Sequence, residues 1–397
     1  MRKPYLYCTL ILFTALLTLI YGCKKVNGIN NNTVIETPYS LYFSDTAGIL
    51  YNSNDGISHN VVFPTDGFPC RAICTSGTNI LWAKQDLFAS TNNGVNFNHT
   101  FDSLQWVSIP PCVGITPLNL NQSMIIDIPA WGRVYTVTNK VHYQPAGIVD
   151  YLGVEYSNNH GVPGSWVNEA TYDTAGGVGL LPVKMYSYTM LTNGVLCGLA
   201  KSNYFDPTTL IGDTTHLRNF YKACGTDACR WMETTGRNIA GTLDTGGVPL
   251  PPNTTYPDTG AFFTLGHYNN RLIAIDQTCL YGAFYSDDTG RNWMHYNGLP
   301  VGVPLLCISS PFDEICLVGT YGKGLYVLNP NTNTFQANNN GLANNLIIRS
   351  ISAKENIYKN TTTKRYIYLA TNKGIFQSTD DGINWVLTIP GNYVAVY

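Results

Sequence analysis

The side chains best placed for chemistry in this sequence are polar groups at the turns between apolar, strand-like runs. Charged, amide and phenol groups of this kind bind ligands through hydrogen bonds and ion pairs. They are Asp45, Lys84, Asp86, His142, Tyr204, Asp206, Asp276, Gln277, Tyr321, Lys323 and Lys373. No subset forms a catalytic constellation, and each residue taken alone is more typical of a solvated turn. The sequence therefore predicts a ligand-binding surface and no catalytic residue.

The motifs of common hydrolytic and metal-dependent enzymes are missing. The sequence has no Gly-x-Ser-x-Gly, no His-Glu-x-x-His and no Cys-x-x-Cys pair. The run from Gly319 to Gly324 resembles a phosphate-binding loop, but it joins two strand-like runs and no helix follows it. We therefore predict neither a metal nor a cofactor.

Two similar segments, 285–293 (YSDDTGRNW) and 377–385 (QSTDDGINW), predict the local structure that positions these groups. Apolar runs flank each segment, as in a β-hairpin, and a glycine in the segment supplies the φ > 0 that a tight turn needs. Serine and aspartate oxygens can bond to the turn backbone, and the tryptophan can cover the turn. The residues concerned are Ser286, Asp288, Gly290, Trp293, Ser378, Asp380, Gly382 and Trp385.

The two segments resemble the Asp-box, or BNR repeat, with the pattern S-x-D-x-G-x-[ST]-W. This repeat recurs in sialidases, sortilin ectodomains, xyloglucanase-type hydrolases and the photosystem II assembly-factor propeller. The resemblance implies a hairpin in a β-propeller, and it implies no particular function.

Weaker copies of the hairpin divide the chain into seven repeats. They lie at residues 52–59, 90–97, 157–166, 224–231 and 329–335. Two strand-like runs precede each hairpin, so each repeat reads as a four-stranded meander. With only 12% charged residues and 27 tyrosines, the composition also favours strands over helices. The predicted fold is all-β, a single seven-bladed propeller of four-stranded blades.

The first repeat predicts how the ring closes, because it has room for only three strands, at 40–44, 48–52 and 60–63. The chain ends in a spare strand-like run, 393–397, which we expect to form the innermost strand of the first blade. Such closure removes an open sheet edge. Insertions at 139–150, 201–218 and 236–260 lengthen three repeats, and the last is expected to be an exposed loop.

In a propeller, ligands usually meet the face that carries the turns between second and third strands and the connections between blades. The strand assignment sends the polar turn residues named above to this face. The Asp-box turns fall on the opposite face.

A sialidase would need, by the resemblance, a Tyr nucleophile assisted by Glu, an Asp acid/base and three arginines on the substrate carboxylate. The candidate arginines fall near inner strands of different blades: Arg71, Arg133, Arg271 and Arg349. The family's Arg-Ile-Pro motif is missing, and Glu155 is expected on a surface. A xyloglucanase-like cleft needs two propellers, whereas this chain has residues for one. Both departures weigh against the enzyme.

The N-terminus predicts export. Arg2 and Lys3 precede an apolar run that ends at Gly22-Cys23, a bacterial lipobox-like sequence in which Tyr21 is off-pattern. We expect a signal peptide at 1–22, a lipidated Cys23 with a polar tether at 23–38, and the propeller at 39–397. The alternative is an uncleaved membrane anchor. A lipidated chain would be held in the cell envelope, at the outer membrane.

Nine cysteines remain besides Cys8 and Cys23, and export permits disulfides. Cys224 and Cys229 are close enough to bridge across a turn, whereas Cys70 and Cys74 would share one face of a strand and are poorly placed to pair. Three more lie in apolar runs and are expected to be small buried hydrophobes: Cys197, Cys307 and Cys316.

A net charge of −2 gives no basic footprint for nucleic acid. The leading hypothesis is a monomeric, membrane-tethered lipoprotein that acts as a non-catalytic binding or assembly scaffold for an envelope protein or glycan. It is expected to use the loop-rich propeller face. The alternative is a divergent glycoside hydrolase, sialidase-like, or a lectin.

Overall fold

The computed structural model describes most of the chain from residue 41 onward. The described residues are 41–54, 56–64, 67–101, 107–108, 121–122, 125–137, 154–169, 184–206, 211–226, 229, 231–233, 243–244, 263–279, 281–357 and 363–397. The predicted signal peptide, Cys23 and tether lie outside them. Within these ranges, helical structure is limited to two 3-10 turns, Pro129–Trp131 and Pro311–Asp313, and no helix is long and apolar enough to span a membrane.

Seven antiparallel sheets form the seven blades. The strands of blades 1 to 3 are β1 (Leu41–Asp45), β2 (Leu50–Ser53), β3 (Asn60–Phe63), β4 (Ala72–Ser76), β5 (Asn79–Ala83), β6 (Leu87–Ser90), β7 (Asn98–Phe101), the separate pair β8 (Val107–Ser108) and β9 (Asn121–Gln122), then β10 (Ile125–Ile128), β11 (Arg133–Val137), β12 (Val154–Ser157) and β13 (Trp166–Asn168). Blades 2 and 3 each take four strands consecutive in sequence, β4–β7 and β10–β13, as the repeat count predicts.

Blades 4 to 7 follow the same plan. Their strands are β14 (Lys184–Met190), β15 (Leu196–Asp206), β16 (Ile211–Lys222), β17 (Met232–Glu233), β18 (Leu243–Asp244), β19 (Phe263–Tyr268), β20 (Arg271–Asp276), β21 (Ala283–Ser286), β22 (Trp293–His295), β23 (Leu305–Ser309), β24 (Leu317–Thr320), β25 (Leu325–Asn329), β26 (Thr334–Ala337), β27 (Ile348–Ile357), β28 (Thr363–Thr371), β29 (Gly374–Ser378), β30 (Val386–Pro390) and β31 (Tyr393–Val396). The all-β, seven-bladed propeller is confirmed.

Closure by the C-terminal strand is also confirmed. β31 pairs antiparallel with β1 and is the innermost strand of blade 1, with Phe43 opposite Val396. The backbones of Tyr42 and Tyr397 exchange two hydrogen bonds, of 2.9 and 2.8 Å. The ring is therefore closed by main-chain pairing between its two ends.

Apolar packing fills every interface between neighbouring blades. The described residues contain seven buried clusters, and each joins one blade to the next around the ring. Inner strands are covered on both faces, so β5 is buried throughout, whereas Val386 and Leu387 of the outer strand β30 are exposed. Near-continuous apolar runs in inner strands follow from this double coverage.

The turns between third and fourth strands are held by their own side chains. Ser286 Oγ donates to Asp288 Oδ1 and accepts from the Gly290 N–H, both at 2.8 Å. Asp288 Oδ1 also accepts from the Asn292 N–H at 2.8 Å. Burial raises the pKa of Asp288, but these hydrogen bonds outweigh it and lower the pKa overall. The same bonds recur in blade 7 around Ser378, Asp380, Gly382 and Asn384.

Two insertions carry strands. The 201–218 segment extends β15 and β16 into a paired ribbon, with Asp206 opposite Ile211. The expectation that 236–260 is wholly an exposed loop is wrong at Leu243–Asp244. This β18 strand pairs parallel with β22 and gives blade 5 a fifth strand. The 139–150 segment lies outside the described residues.

One disulfide joins Cys224 to Cys229 within blade 4, as the spacing predicts. Cys70, Cys74, Cys197 and Cys316 are free and buried, and Cys307 is free and half-buried. Cys279 is also disulfide-bonded.

Deletion of residues 393–397 should lower Tm by more than about 10 °C, because it removes an inner strand and reopens the ring. A Val386→Ser change on the outer strand β30 is the control and should shift Tm by less than about 2 °C. Thermal unfolding followed by circular dichroism measures both. An unchanged melting curve for the deletion would show that closure contributes nothing.

Candidate functional site

The blades present two faces that differ in their connections. The loop-rich face carries the turns between second and third strands and the connections between blades. The turn face carries the turns between first and second and between third and fourth strands. The strand order places the described polar turn residues of the sequence at the loop-rich ends of their blades. His142 lies outside the described residues, and Tyr204 and Asp206 are described as backbone only, within β15.

Three of the expected ligand residues are engaged inside the fold. Asp276 is fully buried, and its carboxylate accepts the Thr278 N–H at 2.8 Å and the Tyr281 N–H at 2.7 Å. Gln277 is buried and donates to the Leu306 carbonyl at 3.1 Å. These two side chains stabilise a turn and the junction with blade 6, because a buried polar group needs such partners.

Lys84 is buried as well, with its Nζ 4.1 Å from the centre of the Trp82 ring, a cation–π contact. Asp86, beside it, is half-exposed and lies 3.6 Å from His99 Nε2. Asp45 accepts the backbone N–H groups of Ala47 and Ile49, at 3.0 and 2.9 Å, so it too holds a turn.

The remaining candidates are accessible. Lys323 and Lys373 are exposed, and Tyr321 is half-buried. All three lie at turns between second and third strands, in blades 6 and 7. They form the part of the expected surface that a partner can reach on the described loop-rich face.

Two arginines belong to this face and have unusual environments. Arg71 immediately precedes β4 of blade 2, and Arg349 is the second residue of β27 of blade 7, so the two lie on either side of blade 1. Burial lowers the pKa of both guanidinium groups, although Asp86 opposes the shift at Arg71. Arg349 Nη1 donates to Asn392 Oδ1 at 2.7 Å and to the Tyr393 carbonyl at 2.9 Å. Partly desolvated cations favour an anionic ligand.

The other two arginines lie at the turn face. Arg133 begins β11, donates from Nε to Asn158 Oδ1 at 2.9 Å and stacks on the Tyr156 ring at 4.0 Å. Arg271 begins β20 and makes a fork with Asp287, at 2.7 and 3.0 Å. The four arginines therefore divide between opposite faces of the propeller and cannot clamp one carboxylate.

A buried ionic cluster joins blades 3 and 4. Lys222 Nζ donates to Glu169 Oε1 and also to the Cys229 carbonyl, the latter at 2.7 Å. Trp231 Nε1 donates to Glu169 Oε2 at 2.7 Å, and Arg133 Nη1 lies 3.8 Å from Glu169 Oε1. These charges are paired within the core, as buried charges must be.

Glu155 is not a surface residue, contrary to expectation. It lies in β12 and is buried. Every residue of β12 is buried, so neither face of this strand is open to solvent, and the sequence pattern does not show that both faces are covered.

Two groups combine a hydroxyl, an imidazole and a carboxylate. In the first, Thr189 Oγ1 lies 2.9 Å from His267 Nδ1, and His267 Nε2 lies 3.0 Å from Asp313 Oδ1. These residues come from blades 4, 5 and 6, so sequence spacing could not reveal them. The Thr189 side chain is buried, which removes it from any substrate. The group links three blades through hydrogen bonds and offers no accessible nucleophile.

In the second group, the serine stands between the other two side chains. Ser76 Oγ donates to Asp127 Oδ1 and contacts His160 Nδ1, both at 2.8 Å. A triad needs the carboxylate to orient the imidazole, and here the hydroxyl intervenes. Ser76 is also buried. Within the described ranges, no three His, Cys, Asp or Glu side chains are grouped to hold a metal.

No protein-family model matches the chain, and no curated protein sequence matches it. Solved structures with a similar arrangement include YCF48 from Cyanidioschyzon merolae, at 10% identity and a TM-score of 0.48, covering 87% of this chain and 97% of that one. A second solved structure, YCF48 bound to D1 peptide, has 12% sequence identity to this chain and a TM-score of 0.46. The match covers 86% of this chain and 87% of that one.

A GH74 xyloglucanase from Xanthomonas campestris gives 11% identity and a TM-score of 0.36, covering 88% of this chain and 62% of that one. Similarity at these levels carries no functional conclusion. The propeller fold rests on the strand pairing described above.

Lys222→Met should lower the free energy of unfolding by about 3–5 kcal/mol, because it leaves the buried Glu169 carboxylate without its ammonium partner. Glu314→Gln is the matched control: Glu314 pairs with Arg365 at the exposed surface, where water and salt screen the pair, so its unfolding midpoint should shift far less. Urea unfolding monitored by tryptophan fluorescence measures both. Equal effects of the two variants would contradict the role given to the buried cluster.

Proposed function

We propose that the protein is an exported, lipid-anchored scaffold without catalytic activity. It holds an acidic segment of an envelope protein, or an acidic glycan, against the loop-rich face of the propeller. The lipobox-like sequence at Cys23 supports the tether. The Ser–Asp–Gly hydrogen bonds in the turns of blades 5 and 7 support a relationship with Asp-box propellers.

The observation that carries this proposal is the pair of exposed lysines, Lys323 and Lys373, at the turns between second and third strands of blades 6 and 7. Arg71 and Arg349 add positive charge on the same face, and an anionic ligand would stabilise their partly buried guanidinium groups. Exposed positive charges of this kind also speed association with an acidic partner.

A scaffold is favoured over a glycoside hydrolase for two reasons. The four arginines expected to clamp a substrate lie on opposite faces. The hydroxyl groups of Thr189 and Ser76, which contact imidazoles, are buried. Catalysis requires reacting groups within reach of a bound substrate.

The test is site-specific photo-crosslinking in cells. A photo-reactive amino acid at Lys323 or Lys373 should give a discrete crosslinked product, because both turns face the partner. The same group at Ile383, which is exposed in a turn-face hairpin, is the position control and should give none. Crosslinks from Ile383 that match those from the loop-rich face would overturn the assignment.

Charge-reversal variants test whether electrostatic attraction at the loop-rich face contributes to binding of the partner. The double variant Lys323→Glu, Lys373→Glu should reduce association with the crosslinked partner about tenfold or more, since repulsion replaces attraction at two points. Arg291→Glu reverses an exposed charge on the turn face and should leave association unchanged. Equal losses from the two variants would show that net charge alone matters.

A further inference from the structure

An open pocket with a mixed polar and apolar lining lies on the turn face between blades 5 and 6, with a volume of about 340 Å³. Its lining combines one ion pair, two amides, a phenol and two apolar side chains. The polar members are Tyr268, Asn269, Asn270, Arg271 and Asp287. Leu328 and Pro330 supply the apolar part. Cavities of this size with a few fixed polar groups are typical of small-molecule sites.

Arg271 is held in place before any ligand arrives. Its Nε and Nη2 bind the two oxygens of Asp287, and Nη1 donates to Asn333 Oδ1 and to the Tyr296 hydroxyl. The guanidinium lies 4.2 Å from the centre of the Tyr285 ring. Burial alone would lower its pKa, but the bonds to Asp287 and Tyr296 raise it above the usual value. The guanidinium group therefore stays charged at physiological pH.

Besides the Arg271–Asp287 ion pair, the lining residues keep hydrogen-bond acceptors and donors that a ligand in the cavity can use. Each Asp287 oxygen uses one lone pair on Arg271, so further acceptor sites remain on the exposed carboxylate. Asn270 Oδ1 accepts from Thr192 Oγ1 at 2.6 Å, which leaves its amide N–H groups as donors. Asn269 is exposed and sits at φ 54°, a turn conformation that asparagine tolerates.

The charge of the cavity selects the ligand class. Arg271 and Asp287 neutralise each other, so the cavity offers donors and acceptors without net charge. A remaining lone pair on an Asp287 oxygen suits one hydroxyl group, and the amide N–H groups of Asn270 suit a neighbouring hydroxyl on the same ring. Tyr268 and Pro330 give an apolar wall for the carbon–hydrogen face of a ring.

We propose that this cavity binds a neutral hexose unit of a glycan through adjacent hydroxyl groups. This site is independent of the proposed scaffold function, because it lies on the opposite face and selects a neutral ligand where the loop-rich face selects an anion. The Arg365–Glu314 fork provides an internal comparison. It is also a two-bond arginine–carboxylate fork, made by Nη1 and Nη2 of Arg365, and the guanidinium stacks on Phe312 at 4.6 Å; neither residue lines the cavity.

The test is saturation-transfer NMR on the full chain, kept in a detergent without a sugar headgroup. The probes are the methyl glycosides of glucose, galactose and mannose, with glucuronate and N-acetylneuraminate as anionic comparisons. At least one neutral glycoside should receive saturation at millimolar concentration and should compete with the other neutral glycosides. Glucuronate and N-acetylneuraminate should not displace it.

Asp287→Asn should weaken that binding about tenfold, because a charged acceptor is lost. Asn269→Gly should weaken it while keeping the turn, since glycine accepts the left-handed backbone that Asn269 adopts. Glu314→Gln should leave binding unchanged. Melting curves show that each variant is folded. Absence of saturation transfer to every neutral glycoside, or equal binding by folded Asp287→Asn, would overturn the proposal.

Discussion

The main-chain pairing of β31 with β1 is the interaction on which the rest of the structure depends. Without it, blade 1 would lack its innermost strand and two blade interfaces would lose their inner walls. The same strand takes part in the candidate site, because Arg349 Nη1 donates to the Tyr393 carbonyl at its start. Ring closure therefore fixes one of the two guanidinium groups on the loop-rich face.

The arginines at the two faces of the propeller have different environments. At the turn face, Arg271 is matched by Asp287, and Arg133 approaches Glu169. On the loop-rich face, Arg71 and Arg349 are partly desolvated, and burial lowers their pKa. An anionic ligand would stabilise the charged form of a partly buried guanidinium group, which favours an acidic partner at the loop-rich face.

Features fixed within one hairpin or one blade could be predicted from sequence. The hairpins expected at 285–293 and 377–385 join the third and fourth strands of blades 5 and 7, and the spare C-terminal strand closes the ring. Contacts between blades could not be predicted. Lys222 meets Glu169 across 53 residues, and Thr189 meets His267 across 78. The pattern of residues within one repeat does not show which residues of another repeat will be in contact.

The burial of residues at turns could not be predicted from the sequence either. Asp276 and Gln277 occupy a turn and are expected from sequence to be solvated, yet both are buried, and Gln277 contacts the neighbouring blade 6. Their polar atoms form hydrogen bonds with backbone groups of Thr278, Tyr281 and Leu306, so the two side chains are not available to a ligand through those atoms. A turn residue is available to a ligand only where no adjacent blade or connection reaches it, as at Lys323 and Lys373.

Incubation of the protein with sialylated and plant-type glycans shows whether this propeller binds without catalysing. Released sugar is followed by mass spectrometry. No product above a protein-free control is expected. A product that disappears in an Arg71→Ala or Arg349→Ala variant would contradict it and would establish a glycoside hydrolase on the loop-rich face.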